Sequence, residues 1–234
     1  MLFLRKMKRL LDYFSKFELY LWGASVIVII TSFLIFDRVG WLSLVASLIG
    51  VSSLMLCAKG NPIGQILIIV FSILYGIIAY GNAYYGEMIT YLGMSAPMAA
   101  LSLYTWLRNS YNGRRGEVRV GHVSARELVF MLFLDVAVTV AFYFILKALG
   151  TASLLFSTLS VTTSFAAAYL TMRRSPLYAL AYALNDVVLI VLWVLASIKN
   201  IGYLSVIICF VVFIVHDLYG FINWHKMKKR QNAD

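Results

Sequence analysis

Acidic residues are scarce in this chain: ten Asp and Glu stand against twenty Lys and Arg in 234 residues. Charged residues make up only 13% of the sequence, prolines number three and cysteines two, while 62% of residues are hydrophobic. A soluble domain needs a polar surface, so this balance excludes one of any size and leaves an integral membrane protein. Cys57 and Cys209 each lie in an apolar run without metal-ligand spacing, and they read as small buried hydrophobes rather than a disulfide or a metal site. There is no Walker motif, metal-ligand cluster or nucleophile–base pair; no cofactor is expected, and nothing argues for an enzyme. The net charge of +10 invites a nucleic-acid reading. The basic residues are instead gathered in short clusters beside the apolar runs, which suits topology and contact with anionic lipid headgroups. A nucleic-acid partner is not expected.

What the chain does hold is a series of long apolar runs. A helix needs about 20 residues to cross the roughly 30 Å hydrocarbon core. Apolar runs read against charge and Gly/Pro punctuation predict an all-α protein with eight spans, at 19–36, 40–58, 62–80, 88–108, 127–149, 152–172, 176–197 and 202–224. Connectors such as Asp37-Arg38, Lys59-Gly60-Asn61 and Lys199-Asn200 are so short that successive helices must be antiparallel neighbours. The longer loop 109–124 carries a turn signal at Asn112-Gly113. With the N-terminus inside, the cytoplasmic segments hold 17 of the 20 Lys and Arg, leaving Arg38, Lys147 and Lys199 outside. The positive-inside rule then favours an even span count with both termini cytoplasmic. The basic start (Arg5, Lys6, Lys8, Arg9) reads as an amphipathic leader ahead of a retained first span, not a cleaved signal.

The chain also echoes itself. Asn61-Pro62 and Ser175-Pro176, 114 residues apart, each introduce an apolar helix after a basic turn; Leu103-Tyr104-Thr105-Trp106 matches Leu218-Tyr219-Gly220-Phe221 at an offset of 115. The organisation expected is a leader and first span (1–39), a three-helix repeat (40–109), a loop and linker helix (110–151), a second three-helix repeat (152–225) and a basic tail (226–234). Corresponding helices are four spans apart and enter from the same side, so the repeat is parallel. Parallel repeats are one transporter plan, with substrate bound near the midplane between the halves.

Polar residues inside the spans nominate the site. Asn185 and Asp186 sit mid-way along span seven, where ionisable groups are costly and mark function by default. Tyr182 and Trp193 share their side of the helix. The repeat offset sets Ser72 opposite Asp186, and Gln65, Ser72 and Tyr75 share one face of span three. A flat ring would lie between aromatic faces from Trp106, Tyr182 and Trp193, with Asn185, Asp186, Ser72 and Gln65 reading its polar edges. A cationic ring would be drawn further to the aromatic faces and the carboxylate. The competing structural reading of the Asn-Asp pair is an interhelical hydrogen bond. Asp217 in span eight reads as a site or gate contact rather than a proton relay, because no second acidic group is seen to pair with it. Asp135 suits packing or a subunit contact, and Glu87 suits a helix start, where its charge meets the helix dipole.

The run Tyr104-Thr105-Trp106-Leu107-Arg108 resembles the Tyr-x-Trp-x-Arg ending of a span in the PnuC family of vitamin transporters. Asn185 followed by Trp193 is similar to that family too. So are Asp217-Leu218-Tyr219-Gly220-Phe221-Ile222-Asn223-Trp224, Tyr85-Gly86-Glu87-Met88 and Pro97-Met98. The resemblance covers roughly residues 40–230. It implies a SWEET-like fold, a homotrimer in the bacterial inner membrane, and facilitated diffusion of nicotinamide riboside with trapping by an intracellular kinase. Relatives in the family move thiamine, riboflavin or deoxyribonucleosides. By position, Asn185 would hydrogen-bond the ligand, Trp193 and Trp106 would line its pocket, and Asp217 and Tyr219 join the candidate contacts. The chain departs from the family at Ala99 and Leu103, where many members have Asn and Trp, and at His216, where Asn is more frequent. A deoxyribonucleoside, thiamine or riboflavin carrier of the same fold, and a membrane scaffold without transport, remain the alternatives.

Overall fold

The computed structural model describes residues 13–81, 85–151, 153–198 and 201–233. The basic leader Arg5, Lys6, Lys8 and Arg9, the connector Lys199-Asn200, and the side chains of Arg114 and Arg115 lie outside the described residues. Among the described residues, seven single helices are long and apolar enough to cross a membrane: Lys16–Phe36, Trp41–Ala58, Ile63–Gly81, Ala125–Ala148, Leu154–Met172, Leu177–Ser197 and Leu204–Ala233, the last entered through a 3-10 turn at Ile201–Tyr203; a composite helical segment occupies the place of the expected span four.

Span four is different. It runs as Tyr85–Ile89, widens into a π-helical stretch at Thr90–Ser95, and continues as Ala96–Arg108. The Ala96 N–H reaches back to the Tyr91 carbonyl. Pro97 follows immediately: its ring would collide with the carbonyl four residues back and it has no N–H to offer, so a widened turn relieves the clash. Among the described residues the loop between spans four and five adds the one departure from an all-helical chain. Ser110–Tyr111 and Arg114–Val118 pair as an antiparallel hairpin. Its tip is the expected Asn112-Gly113 turn, with φ of 48° and 69°.

The repeat is visible as matching hydrogen bonds. Span two ends with the Gly60 N–H on Cys57 O and the Asn61 N–H on Leu56 O; span six ends with the Arg174 N–H on Thr171 O and the Ser175 N–H on Leu170 O. Gly60 and Arg174, 114 apart, both take left-handed backbone, at φ 66° and 58°. This is the helix stop that consumes the last carbonyls, and Gly60 adopts it without the strain that Arg174 must bear. At the far end of each repeat, Thr105 Oγ1 and Trp106 Nε1 donate to the carbonyls of Met172 and Thr171. Asn223 Nδ2 and Trp224 Nε1 donate to those of Ala58 and Cys57. Each repeat therefore caps the other. The counterpart of Trp106 is Trp224, three residues beyond the Phe221 that the sequence echo aligned with it. All four bonds meet at one end of the bundle, so the corresponding helices run the same way.

That end also holds the hairpin. Val118 N–H donates to Gly60 O and Gly121 N–H to Arg174 O, so one strap ties both matching turns. Gln231 binds it from span eight, and Tyr13 donates to Gly116 O. Arg230–Glu117, Arg173–Glu127 and Lys59–Glu18 form ion pairs here. Span one is held by Glu18, which closes a capping box with Ser15 and accepts from the Tyr219 hydroxyl, and further along by Ser25 on His216 Nε2. The buried apolar side chains form two clusters: one around Trp106, Trp224, Tyr178 and Met227, the other around Trp193, Tyr75, Phe210 and Phe213.

Candidate functional site

Between those clusters lies a cavity of about 70 Å³, its largely apolar wall carrying a group of polar side chains. Ser72 comes from span three, Tyr91 and Ser95 from the π-helical stretch, Tyr182, Asn185 and Asp186 from span seven, and Asp217 from span eight. Five of the ten residues nominated from sequence thus meet at one place. Ser72 and Asp186, matched only by the repeat offset, share its wall.

Asn185 is 4% exposed and its orientation is fixed from span six. Ser164 Oγ donates to its Oδ1 at 2.9 Å and Thr163 Oγ1 at 2.8 Å. Thr163 is also placed to donate to the carbonyls of Leu159 and Ser160, so Ser164 is the more dependable donor. With its oxygen engaged, Asn185 has amide N–H groups to offer a ligand. Asp186 and Asp217, 5% and 3% exposed, come from adjacent helices to line the same small cavity. This corrects the sequence reading of Asp217, which missed a second acidic group nearby because it comes from another helix. Among the described residues no donor reaches Asp186 Oδ2 or Ser72 Oγ. Buried polar atoms normally find partners, so these two are acceptors held ready.

A second cavity of about 420 Å³ lies at the end away from the hairpin, under the connector Asp37–Gly40 and beside Tyr203. Tyr75 and Trp193 line this vestibule rather than the central cavity. They pack in tilted contact with Tyr91 and Tyr203: the ring centroids are 4.4 Å apart for Tyr75–Tyr91 and 5.0 Å for Trp193–Tyr203. Phe71, Phe210 and Phe213 line both cavities and form the partition between them. Gly50 lets this partition close, since a Cβ there would fall 2.5 Å from the Phe213 ring.

Three nominated residues stand elsewhere. Trp106 is fully buried, packs on Trp224 at 5.4 Å and spends its N–H on Thr171. Gln65 donates to Cys57 Sγ, and Tyr219 to Glu18. None lines the central cavity. Tyr178 and Tyr182 link the Trp pair to the cavity, making its floor. Sequence reasoning passed over Thr163, Ser164, Tyr91 and Ser95. The first two had a signal, the run Thr162-Thr163-Ser164 in mid-span, where hydroxyls seek partners on facing helices.

Comparison with known proteins gives this geometry a context. Residues 40–226 match the family model described as nicotinamide mononucleotide transporter. The nicotinamide riboside transporter PnuC of Neisseria mucosa is 24% identical over 203 residues, 85% of this chain and 77% of that protein. Its namesake from Haemophilus influenzae is 23% identical over 193 residues, 82% of each. A crystal structure titled as the vitamin B3 transporter PnuC superposes with a TM-score of 0.81 at 23% identity, covering 93% of this chain and 94% of that one.

Proposed function

The chain belongs to the nicotinamide mononucleotide transporter family, and from that premise we propose that it carries nicotinamide riboside across the bacterial inner membrane. The observation that carries this choice is the central cavity. It pairs a fixed amide N–H source, Asn185, with two carboxyls and an uncommitted hydroxyl, Ser72. Nicotinamide riboside presents a carboxamide oxygen to accept from Asn185, ribose hydroxyls to meet Ser72, and a positively charged ring that suits Asp186, Asp217 and the faces of Tyr91 and Tyr182.

Pockets that enclose small ligands run to about 300–1,000 Å³. The vestibule at about 420 Å³ is of that size; the central cavity at about 70 Å³ is not. Substrate would enter the vestibule past Trp193 and Tyr75, part the three phenylalanines, and expand the central cavity. Rocking of spans two to four against spans six to eight would then part the Trp106–Trp224 floor and the hairpin, which we assign to the cytoplasmic side with both termini. Transport is facilitated diffusion, with an intracellular kinase consuming the product. Trp106, Gln65 and Tyr219 then belong to the inner gate, while Tyr75 and Trp193 receive the ring on entry. A homotrimer would use the apolar outer face of span five, where Val129, Phe133, Val136 and Phe144 are exposed.

The test is uptake by proteoliposomes of nicotinamide riboside, thiamine, riboflavin and deoxyribonucleosides, alongside a thermal-shift panel of the same compounds, since a ligand of the native state raises apparent stability. Nicotinamide riboside should be taken up saturably, and Asn185→Leu should abolish that uptake in a protein that still folds. Preference for another compound on the panel, or no saturable binding at all, would overturn the substrate or the transporter reading respectively.

A further inference from the structure

Asp186 and Asp217, two buried carboxyls lining one small cavity, raise a question of charge. Around the pair, Tyr91 faces it from the π-helical stretch, Tyr178 and Tyr182 from span seven, Cys57 from span two and Cys209 from span eight. Span six contributes the hydroxyls of Thr163 and Ser164, and span three that of Ser72. All are neutral groups. Glu87 faces Tyr91 rather than the pair, and His216, next in sequence to Asp217, turns its Nε2 to Ser25 on span one. Among the described residues the ion pairs formed by Lys and Arg lie at the hairpin end, on Glu18, Glu117 and Glu127. Among the described residues, therefore, no Lys or Arg forms an ion pair with either carboxyl.

A buried charge without a partner is neutralised rather than tolerated, and two carboxylates sharing one small cavity do not both ionise. The pair holds protons for as long as nothing positive stands beside it. Resting on the substrate proposed above, we propose that Asp186 and Asp217 form the cation subsite of the central cavity and release one proton when a positively charged ring binds. The O–H bond of one carboxyl breaks, its electron pair stays on the oxygen, and the proton passes to solvent. Asp186 Oδ2, which no donor engages, is the acceptor left to face the ring. The cavity is electrically neutral before and after, so the ring's charge is accepted without a net buried charge. Because binding expels a proton, affinity for the cation rises with pH, by about tenfold per unit for one proton where the empty pair is fully protonated. A ring of the same shape without charge expels none.

The experiment is titration calorimetry on the purified chain in nanodiscs, run at one pH in buffers of different ionisation enthalpy, so that the buffer dependence of the heat counts protons. The probes are nicotinamide riboside and its dihydro form, whose ring is neutral. About one proton released with the first and none with the second is expected, together with a pH-dependent affinity for the first alone. The double variant Asp186→Asn with Asp217→Asn should cut the preference for the cationic form at least about tenfold and silence proton release. Should the double variant not fold, the proton count and pH slope of the native protein decide. Saturable binding of the cation without proton release would overturn this inference and leave the transport reading intact. Absence of binding by either form would overturn both.

Discussion

Ser164 offers the sharpest lever on the site, because its hydroxyl touches no substrate yet sets what Asn185 can present. Replacing it with alanine removes the 2.9 Å bond to Asn185 Oδ1. A neutral hydrogen bond is worth about 0.5–1.5 kcal/mol net, and leaving a buried carbonyl without a donor costs about 1–3 kcal/mol. Thr163 softens the loss, but only by giving up its alternative acceptors at Leu159 and Ser160. The amide then loses its fixed sense and samples an orientation with the oxygen toward the ligand, which repels the substrate carboxamide oxygen. Translated at 1.4 kcal/mol per tenfold, Ser164→Ala should weaken nicotinamide riboside binding by about 5- to 100-fold. Thr163→Val should fall at or below the low end of that range, and Ser164→Thr, which keeps the hydroxyl, should restore most of the affinity. Calorimetric Kd is the readout, with melting temperature measured in parallel. A merely structural role lowers melting temperature and leaves Kd alone. An unchanged Kd for Ser164→Ala in a folded protein would refute the claim that span six orients Asn185.

Other consequences can be checked independently. Trp224→Phe removes one of two donors to the Cys57 carbonyl and Trp106→Phe one of two to the Thr171 carbonyl, with the Gly60 and Arg174 N–H groups still in place, so each should lower stability by about 0.5–1.5 kcal/mol in thermal or denaturant unfolding without altering which substrate is preferred. Cys209 lines the vestibule while Cys57 is packed in the cluster beneath Trp224. A small thiol reagent should therefore label Cys209 first, and saturating substrate should slow that labelling; equal labelling of both cysteines would contradict the partition at Phe71, Phe210 and Phe213. Gly121→Ala sets a Cβ against the Arg173 carbonyl and should loosen the hairpin, seen as faster limited proteolysis within 109–124. Unchanged cleavage would show that the strap does not depend on that contact.

The sequence was legible where one physical rule acted locally. Span positions follow from the thickness of hydrocarbon, and the structure's helices agree with the expected ones to within a few residues, except that span eight runs on past its expected end at 224 to Ala233. The Asn61-Pro62 and Ser175-Pro176 signals mark helix starts that are built alike, with the Asn61 Oδ1 and Ser175 Oγ side chains accepting from the N–H two residues on. What could not be read was rotational phase and reach between helices. Nothing within span seven or span eight says that Asp186 and Asp217 meet, because that depends on how two helices are turned about their axes. The π-helical stretch is the sharpest case: widening one turn rotates all that follows, carrying Trp106 to Thr171 while Tyr91 and Ser95 face the cavity. Aromatic composition alone made Trp106 look like a ligand contact, but at a helix end its indole N–H takes the lone pair of the Thr171 carbonyl that the Arg174 N–H leaves open.

The two ends of the molecule are closed by different physics, and that difference bears on how a rocking carrier would run. At the hairpin end, Trp106, Trp224 and Asn223 each donate across the two halves, and the strap holds both Gly60 and Arg174. Separating the halves there breaks at least three interhelical hydrogen bonds, about 2–4 kcal/mol net even if water replaces the partners. At the other end the barrier is three phenyl rings meeting edge to face, with Phe71–Phe213 centroids 6.1 Å apart and Phe210–Phe213 5.8 Å apart. Such rings move aside by rotamer changes and lose only dispersion contacts, which are individually small. Opening toward the vestibule is therefore the easier excursion, and opening at the hairpin end the step that needs help. A ligand supplies that help only through contacts it makes better in the second state than in the first. The groups able to do so are those still uncommitted in this arrangement, Ser72 Oγ and Asp186 Oδ2, which a substrate filling the expanded cavity would engage. On this account the polar atoms left without partners in the resting cavity are the source of the differential binding that drives the slow half of the cycle, and filling them with internal hydrogen bonds, as Ser72→Asn would do toward Asp186, should slow uptake while raising stability.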